Sequence, residues 1–203
     1  MNGKIFISYS WVEPSGSIVN NWLKPSLEDA DIKCLIDKDD CGYNDNIDKF
    51  ERELPNAAKV VLVLSQPFLF SPDCMFEAAL AVSKCDIERQ VYVINLVDYN
   101  FRKDGEKLYD RVFFHFKGIK DGYEESKSKL PADARGHYND KLHKVNTIIS
   151  NLSKLWKMLG SKNSVTFGDA SKKQFDLVCR ELKQSIDDAT LKNKNISDTK
   201  LEP

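Results

Sequence analysis

The stretch Val60-Val61-Leu62-Val63-Leu64 decides the fold, because five consecutive apolar residues leave a strand with no face that suits water. A strand that is apolar on both faces needs helices on each side, as in a buried parallel sheet. We therefore expect Val60–Leu64 to form the central strand of such a sheet.

Strand-like and helical segments alternate around this central run. The other predicted strands are Ile5–Ile7, Ile32–Ile36 and Val91–Val97, and the predicted helices between them cover 17–30, 47–57 and 73–85. Crossovers between parallel strands are right-handed and place helices on both faces of the sheet. The order β-α-β-α-β-α-β therefore predicts an α/β fold with an open parallel sheet between two helical layers.

The second half of the chain is less regular. An aromatic run predicts a short strand at Val112–Phe116, and helical spacing predicts two amphipathic helices at 138–159 and 172–189. Trp22 and Trp156 stand at helical spacing and are expected in the core. We expect one domain over 1–190, followed by a polar tail at 191–203.

Composition and charge exclude several classes of protein. The chain has 203 residues, of which 30 are basic and 31 acidic, so no overall field favours nucleic acid or an anionic membrane. Its apolar runs fall short of the roughly 20 residues that a membrane span needs, and no signal peptide is evident. Five scattered cysteines and three histidines predict reduced thiols and no metal site. We expect a cytoplasmic protein.

Ligands of open parallel sheets bind beyond the carboxyl ends of the strands. In this chain those ends are followed by the segments 8–17, 37–46, 65–73 and 98 onward. A receiver domain would need acidic residues after the first and third strands, and a dinucleotide fold would need a glycine triplet after the first. The chain has neither, and a P-loop is also missing.

Glu77 is the most unusual residue of these segments. It lies in the apolar helical run Cys74-Met75-Phe76-Glu77-Ala78-Ala79-Leu80-Ala81-Val82, which starts just past the third strand. A carboxylate among apolar neighbours is costly to bury unless it opens onto a pocket. The alternative is an exposed glutamate that the helix dipole favours in the first turns.

Four motifs in register give the chain a family resemblance over residues 4–97. They are Phe6-Ile7-Ser8-Tyr9-Ser10 after a lysine, Asp37 with Gly42 behind it, Leu62-Val63-Leu64-Ser65, and Ser71-Pro72-Asp73-Cys74-Met75-Phe76-Glu77. Together they resemble a TIR domain. The resemblance implies a flavodoxin-like sheet, a loop at 37–46 that corresponds to the family's BB loop, and a glutamate at position 77 where NAD-cleaving members carry their catalytic one.

The resemblance also implies a substrate site for NAD⁺, with no cofactor and no metal. Around catalytic Glu77, the candidate substrate-binding residues are Ser8, Tyr9, Ser10, Trp11, Asp37, Gly42, Ser71 and Cys74. Tyr9 and Trp11 are candidates for stacking on a ring, the serines for binding phosphate or ribose oxygens, and Asp37 for a hydroxyl. The sequence departs from the family at Asp73, where NAD-cleaving members often carry a tryptophan.

Cleavage of the nicotinamide–ribose bond passes through an oxocarbenium-like centre that a carboxylate stabilises. Attack by water gives ADP-ribose, and attack from within the molecule gives a cyclic isomer; the sequence leaves both open. Two alternatives also remain, a non-catalytic interaction module and an N-glycosidase for another nucleotide. The expected partners are further copies of this chain, through the loop at 37–46, and a separate sensor or effector protein.

Overall fold

A five-stranded parallel sheet forms the centre of the protein. The computed structural model describes residues 5–32, 34–36, 54–97, 101, 103, 105–161, 165–166 and 178–184. The strands, in the spatial order β2-β1-β3-β4-β5, are β1 (Ile5–Tyr9), β2 (Cys34–Ile36), β3 (Lys59–Leu64), β4 (Val91–Asn95) and β5 (Val165–Thr166). β3 pairs with β1 on one side and β4 on the other. The prediction of a central strand at Val60–Leu64 is confirmed.

Helices join the strands along the chain. They are α1 (Ser15–Ile18), α2 (Lys24–Asp29), α3 (Gln66–Phe70), α4 (Pro72–Lys84), α5 (Ile87–Gln90), α6 (Gly105–Ser128) and α7 (Gly136–Ser161), with a further helical stretch at 178–184. A π-helical turn at Val19–Leu23 joins α1 to α2, and a 3₁₀ turn covers Leu54–Asn56. None of the described helices is both long and apolar enough to span a membrane.

Successive side chains of each strand point to opposite faces of the sheet, so the core has two parts. Ile5, Ile7 and Val61 face the layer formed by α1, α2 and the stretch at 178–184. Phe6 and Leu62 face the opposite layer, which contains α3, α4, α6 and α7. Both faces of the sheet are therefore covered by helices, and the predicted fold class is confirmed.

Two predictions for aromatic residues are wrong. Val112–Phe116 is part of helix α6, where Val112 and Phe116 lie one turn apart and are both fully buried. A short apolar run does not distinguish a strand from a buried helix face, and here packing against α7 favours the helix. Trp22 is 38% exposed rather than in the core. Trp156 packs against the edge of the core and donates a hydrogen bond from Nε1 to the Gly105 carbonyl, at 2.7 Å.

The remaining predictions for the second half are met in part. The helix predicted at 138–159 lies within α7. Of the helix predicted at 172–189 only 178–184 is described, and it is helical. The loop at 37–46, the segment 47–53 and the tail at 191–203 lie outside the described residues, so the predicted domain boundary stays a prediction.

Candidate functional site

The carboxyl ends of β3 and β4 meet at one edge of the sheet. The Leu96 N–H donates to the Leu64 carbonyl at 2.8 Å, and the Val97 N–H donates to Oδ1 of Asn95 at 3.0 Å. Asn95 is buried, and its side-chain hydrogen bond fixes the backbone of the two residues after β4. The two strand ends are thereby held together where ligands of this fold class bind.

Two serines start the helices that follow β3. The hydroxyl of Ser65 accepts from the Phe68 N–H at 3.3 Å, and that of Ser71 accepts from the Cys74 N–H at 3.4 Å. Serine side chains satisfy helix-terminal N–H groups in this way. Ser71, a predicted substrate-binding residue, therefore has a structural role as the N-cap of α4.

Glu77 lies on α4 among residues that are almost all buried. It is half-buried itself, whereas Phe76 and Ala78 on either side are 3% and 0% exposed. α4 begins directly beyond the carboxyl edge and packs on the sheet and on α7. The helix therefore holds one half-buried carboxylate at the margin of the core.

The Cys74 thiol lies one turn before Glu77. Burial raises its pKa to about 12, against the effect of its hydrogen bond with Ser71, and the neighbouring Glu77 and Asp73 carboxylates raise it further. The thiol is therefore protonated at neutral pH and is a poor nucleophile. Cys74 lies close to Glu77, as the predicted site requires. Its thiol is present there as a neutral group.

Asp73 connects α4 to α7. Its carboxylate forms an ion pair with Nζ of Lys144 at 2.5 Å, and the same ammonium lies 5.6 Å from the centre of the Phe76 ring. The position where the resemblance places a tryptophan thus carries a helix-to-helix ion pair. No aromatic wall for a nicotinamide ring comes from this position.

The predicted residues at the end of β1 are placed on different sides of the sheet. Tyr9 packs in the core on the side of α1 and α2, and its hydroxyl donates to Oδ1 of Asn20, in the π-helical turn after α1, at 3.5 Å. The Ser10 hydroxyl accepts from the Val12 N–H at 3.3 Å. Trp11 is 59% exposed and remains accessible to a ligand or a partner.

Ser8 carries a buried hydroxyl with no hydrogen-bond partner. Strand alternation places it on the same face as Phe6, which packs in the core that contains α4. Ser15, at the start of α1, has a second hydroxyl of this kind. A buried polar group without a partner costs about 1–3 kcal/mol.

We expect Ser8→Ala and Ser15→Ala each to leave the melting temperature unchanged or raise it, because each removes an unsatisfied buried hydroxyl. Replacement removes a desolvation cost on the order of 1 kcal/mol. If Ser8 belongs to the NAD⁺ site that the resemblance implies, only Ser8→Ala also raises the KM for NAD⁺. Thermal unfolding and steady-state kinetics measure both effects. A marked loss of stability in Ser8→Ala would mean that the hydroxyl supports the fold.

An open cleft of about 600 Å³ lies at the carboxyl edge, between the loop after β1 and the ends of β3 and β4. Its walls include Glu13, Pro14, Gln66, Pro67, Phe70 and Val97. The loop after β1 requires a glycine at position 16, because a Cβ there would lie 2.8 Å from the Trp11 carbonyl oxygen. The hydroxyl of Ser17 donates to Oε1 of Glu13 at 2.6 Å and holds that carboxylate at the rim.

Among the described residues, none of the predicted site residues lines this cleft. Ser71, Cys74 and Glu77 share the first turns of α4, and the other described candidates follow one another at the end of β1. Asp37 and Gly42 lie outside the described residues. Sequence reasoning identified the segments 8–17 and 65–73 but missed the side chains of the cleft wall, among them Glu13 and Phe70. The only signal for them was their position after β1 and β3. The described residues contain no group of three or more His, Cys, Asp or Glu able to hold a metal ion.

Comparison with known proteins agrees with this architecture. The sequence profile of the TIR domain family matches residues 5–130. Among solved structures, the chain is similar to the TIR domains of the activated Roq1 resistosome directly recognising the pathogen effector XopQ. That similarity has a TM-score of 0.55 and 14% identity, over 88% of this chain and 98% of the other, and it shows the fold alone. No curated protein matches the sequence. Since the family profile spans more than half of the sequence, the chain belongs to the TIR domain family.

Proposed function

We propose that this protein cleaves the nicotinamide–ribose bond of NAD⁺, as a glycohydrolase or cyclase, with Glu77 as the catalytic residue. The TIR domain family includes both NAD-cleaving and non-catalytic members. The observation that carries the proposal is the half-buried Glu77 in a helix whose other central residues are buried and apolar. A non-catalytic interaction module does not require a carboxylate at this position of the helix.

One carboxylate suffices for this chemistry. As the bond to nicotinamide breaks, positive charge develops on the ribose, and a fixed carboxylate beside that carbon stabilises it. Nicotinamide leaves as a neutral molecule, so no general acid is required. The protonated Cys74 thiol beside Glu77 does not compete as a nucleophile. Water or a group of the same NAD⁺ molecule then attacks the ribosyl centre.

The direct test is incubation of the purified protein with NAD⁺, followed by chromatographic identification of the products. We expect nicotinamide together with ADP-ribose or a cyclic ADP-ribose isomer. A non-catalytic TIR module would release no nicotinamide. Cleavage of other nucleotides or nucleosides, but not of NAD⁺, would identify a different N-glycosidase.

We also propose that the active form is self-associated and that the product is an immune or stress signal. One solved structure to which the chain is similar is that of the TIR domains of the activated Roq1 resistosome. In this chain Trp11 and Val12 form an exposed apolar pair at the carboxyl edge, each 59% exposed. The loop at 37–46 is the second candidate surface, and a separate sensor or effector protein is the expected partner.

Self-association predicts that activity per molecule rises with protein concentration, because assembly follows mass action. NAD⁺ turnover should be measured over about a hundredfold range of concentration, with particle size followed by light scattering in the same samples. Specific activity that stays constant while particle size grows would contradict this proposal and leave the catalytic assignment intact.

We place the protein in the cytoplasm. The described cysteines Cys34, Cys74, Cys85 and Cys179 are all free thiols. Free thiols are typical of reducing compartments.

A further inference from the structure

The outer face of helix α6 carries a regular line of exposed residues. The helix buries Leu108, Val112 and Phe116 on its inner face. On the outer face, six exposed residues follow one another at alternating spacings of four and three, and we call them the α6 stripe: Lys107, Arg111, Phe114, Gly118, Asp121 and Glu125. This spacing keeps side chains in one line along a helix and is the pattern by which two helices pair.

The middle of the α6 stripe combines a large ring with a missing side chain. Phe114 is 64% exposed, the highest value among the large apolar side chains of the described residues. A Cβ at Gly118 would meet no atom within 4 Å, so no contact within the described part of the chain calls for a glycine there. Glycine is also less favourable than alanine inside a helix. A glycine at this position instead leaves room for a ring from another helix to approach closely.

The charges of the α6 stripe are separated by sign. The basic residues Lys107 and Arg111 lie in its first half, and the acidic residues Asp121 and Glu125 lie in its second half. Among the described residues, Lys107, Arg111 and Asp121 form no ion pair. A parallel pair of such helices would set each charge against its own copy, whereas an antiparallel pair sets basic residues against acidic ones. The order of charges therefore matches its own reverse.

We propose that the α6 stripe binds the α6 stripe of a second copy of this chain, in an antiparallel pair with a two-fold axis at the middle of the stripe. The residues that face each other across the axis are then Phe114 and Gly118, Arg111 and Asp121, and Lys107 and Glu125. Two-fold symmetry requires facing residues to lie equally far from the axis, and all three pairs meet this condition. One register thus accommodates the ring and both pairs of charges.

The proposed pair goes beyond the proposed function and does not depend on the cleavage of NAD⁺. It also uses a different surface from the exposed residues Trp11 and Val12 at the carboxyl edge. One helix from each copy forms a small interface, and small interfaces are typical of weak complexes. We therefore expect a monomer–dimer equilibrium that shifts towards the dimer as the protein concentration rises.

Analytical ultracentrifugation of the whole protein, over about a hundredfold range of concentration, tests the proposal. Arg111→Asp or Asp121→Arg alone places two like-charged pairs across the axis and should weaken the dimer at least about tenfold. An equimolar mixture of the two variants should recover parental association. In the mixed dimer, both positions again carry opposite charges, since Arg111→Asp in one copy faces Asp121→Arg in the other.

Asp140→Arg is the matched control, because it makes the same change of charge at an exposed position of α7, outside the α6 stripe. We expect this variant to associate like the parent. The Arg111 guanidinium also lies 5.7 Å from the centre of the Phe70 ring. Lys107→Glu and Glu125→Lys therefore repeat the mixing experiment without disturbing that contact. Thermal unfolding of each variant confirms that the fold is kept.

Association that is lost in the single variants and returns in their mixture supports the proposal, whether the particles are dimers or larger. A parent that stays monomeric overturns it, and so does association that the single variants retain. A mixture that stays dissociated, or equal weakening in Asp140→Arg, also overturns it. None of these outcomes changes the assignment of Glu77, which the release of nicotinamide tests separately.

Discussion

Glu77→Gln is expected to lower NAD⁺ turnover by about a hundredfold or more, because it removes the charge that stabilises the ribosyl cation and keeps the shape of the side chain. We expect the variant to keep the parental fold. The carboxylate is half-buried in an apolar helix, and its neutral replacement leaves the free energy of unfolding unchanged or slightly higher. Nicotinamide release and thermal unfolding, measured on the same preparation, separate the two effects.

Asp73→Asn is the matched control, since it removes a carboxylate from the same helix one turn earlier. Asp73 is exposed and forms an ion pair with Lys144, and such surface pairs contribute at most about 1 kcal/mol. We expect this variant to keep parental turnover. The catalytic assignment is falsified if Glu77→Gln retains parental cleavage of NAD⁺. A joint fall of activity and melting temperature would assign Glu77 a structural role.

Phe116→Ala is expected to give the largest loss of stability. The Phe116 side chain is fully buried in the core that joins α6 to the sheet layer. Truncation of a buried phenylalanine leaves a cavity and costs about 3–5 kcal/mol. For a chain of this length the melting temperature should fall by roughly 6–20 °C. Calorimetry or circular dichroism on heating measures the change.

Phe114→Ala provides the comparison, two residues earlier on the same helix. Phe114 is 64% exposed, so its truncation leaves no cavity. The expected change in stability is within about 0.5 kcal/mol. Equal losses in the two variants would mean that α6 does not bury the face described above.

The central strand was predictable because Val60–Leu64 carries apolar side chains on both faces of the strand. Only a sheet that is covered by helices on both faces accommodates that pattern. Val112–Phe116 was not predictable, because a five-residue aromatic run suits either a strand or a helix. Its structure depends on contacts between α6 and α7, which join residues far apart in the sequence; Tyr109 and Ser153, for example, are 44 positions apart. The exposure of Trp22 could not be predicted either, since helical spacing alone does not show how wide the buried face of a helix is.

For the site, Glu77 was predictable as an anomaly, a carboxylate inside an apolar helical run. The burial of Tyr9 was also within reach, since it has the same strand parity as the core residues Ile5 and Ile7. The cleft was not predictable. Glu13 and Phe70 come together only through the crossovers of the sheet, and nothing in their local sequences marks them as neighbours.

The burial of α4 determines how the amide hydrogens of its backbone exchange with solvent. Eight of its residues are buried, between the sheet on one side and α7 on the other. Amides in such a segment exchange only when the whole core opens, whereas surface loops exchange through local fluctuations. We therefore expect the backbone amides around Glu77 to be among the slowest of the described residues to exchange. Under the proposed function, we expect substitutions in the surrounding loops to change substrate preference without displacing the carboxylate.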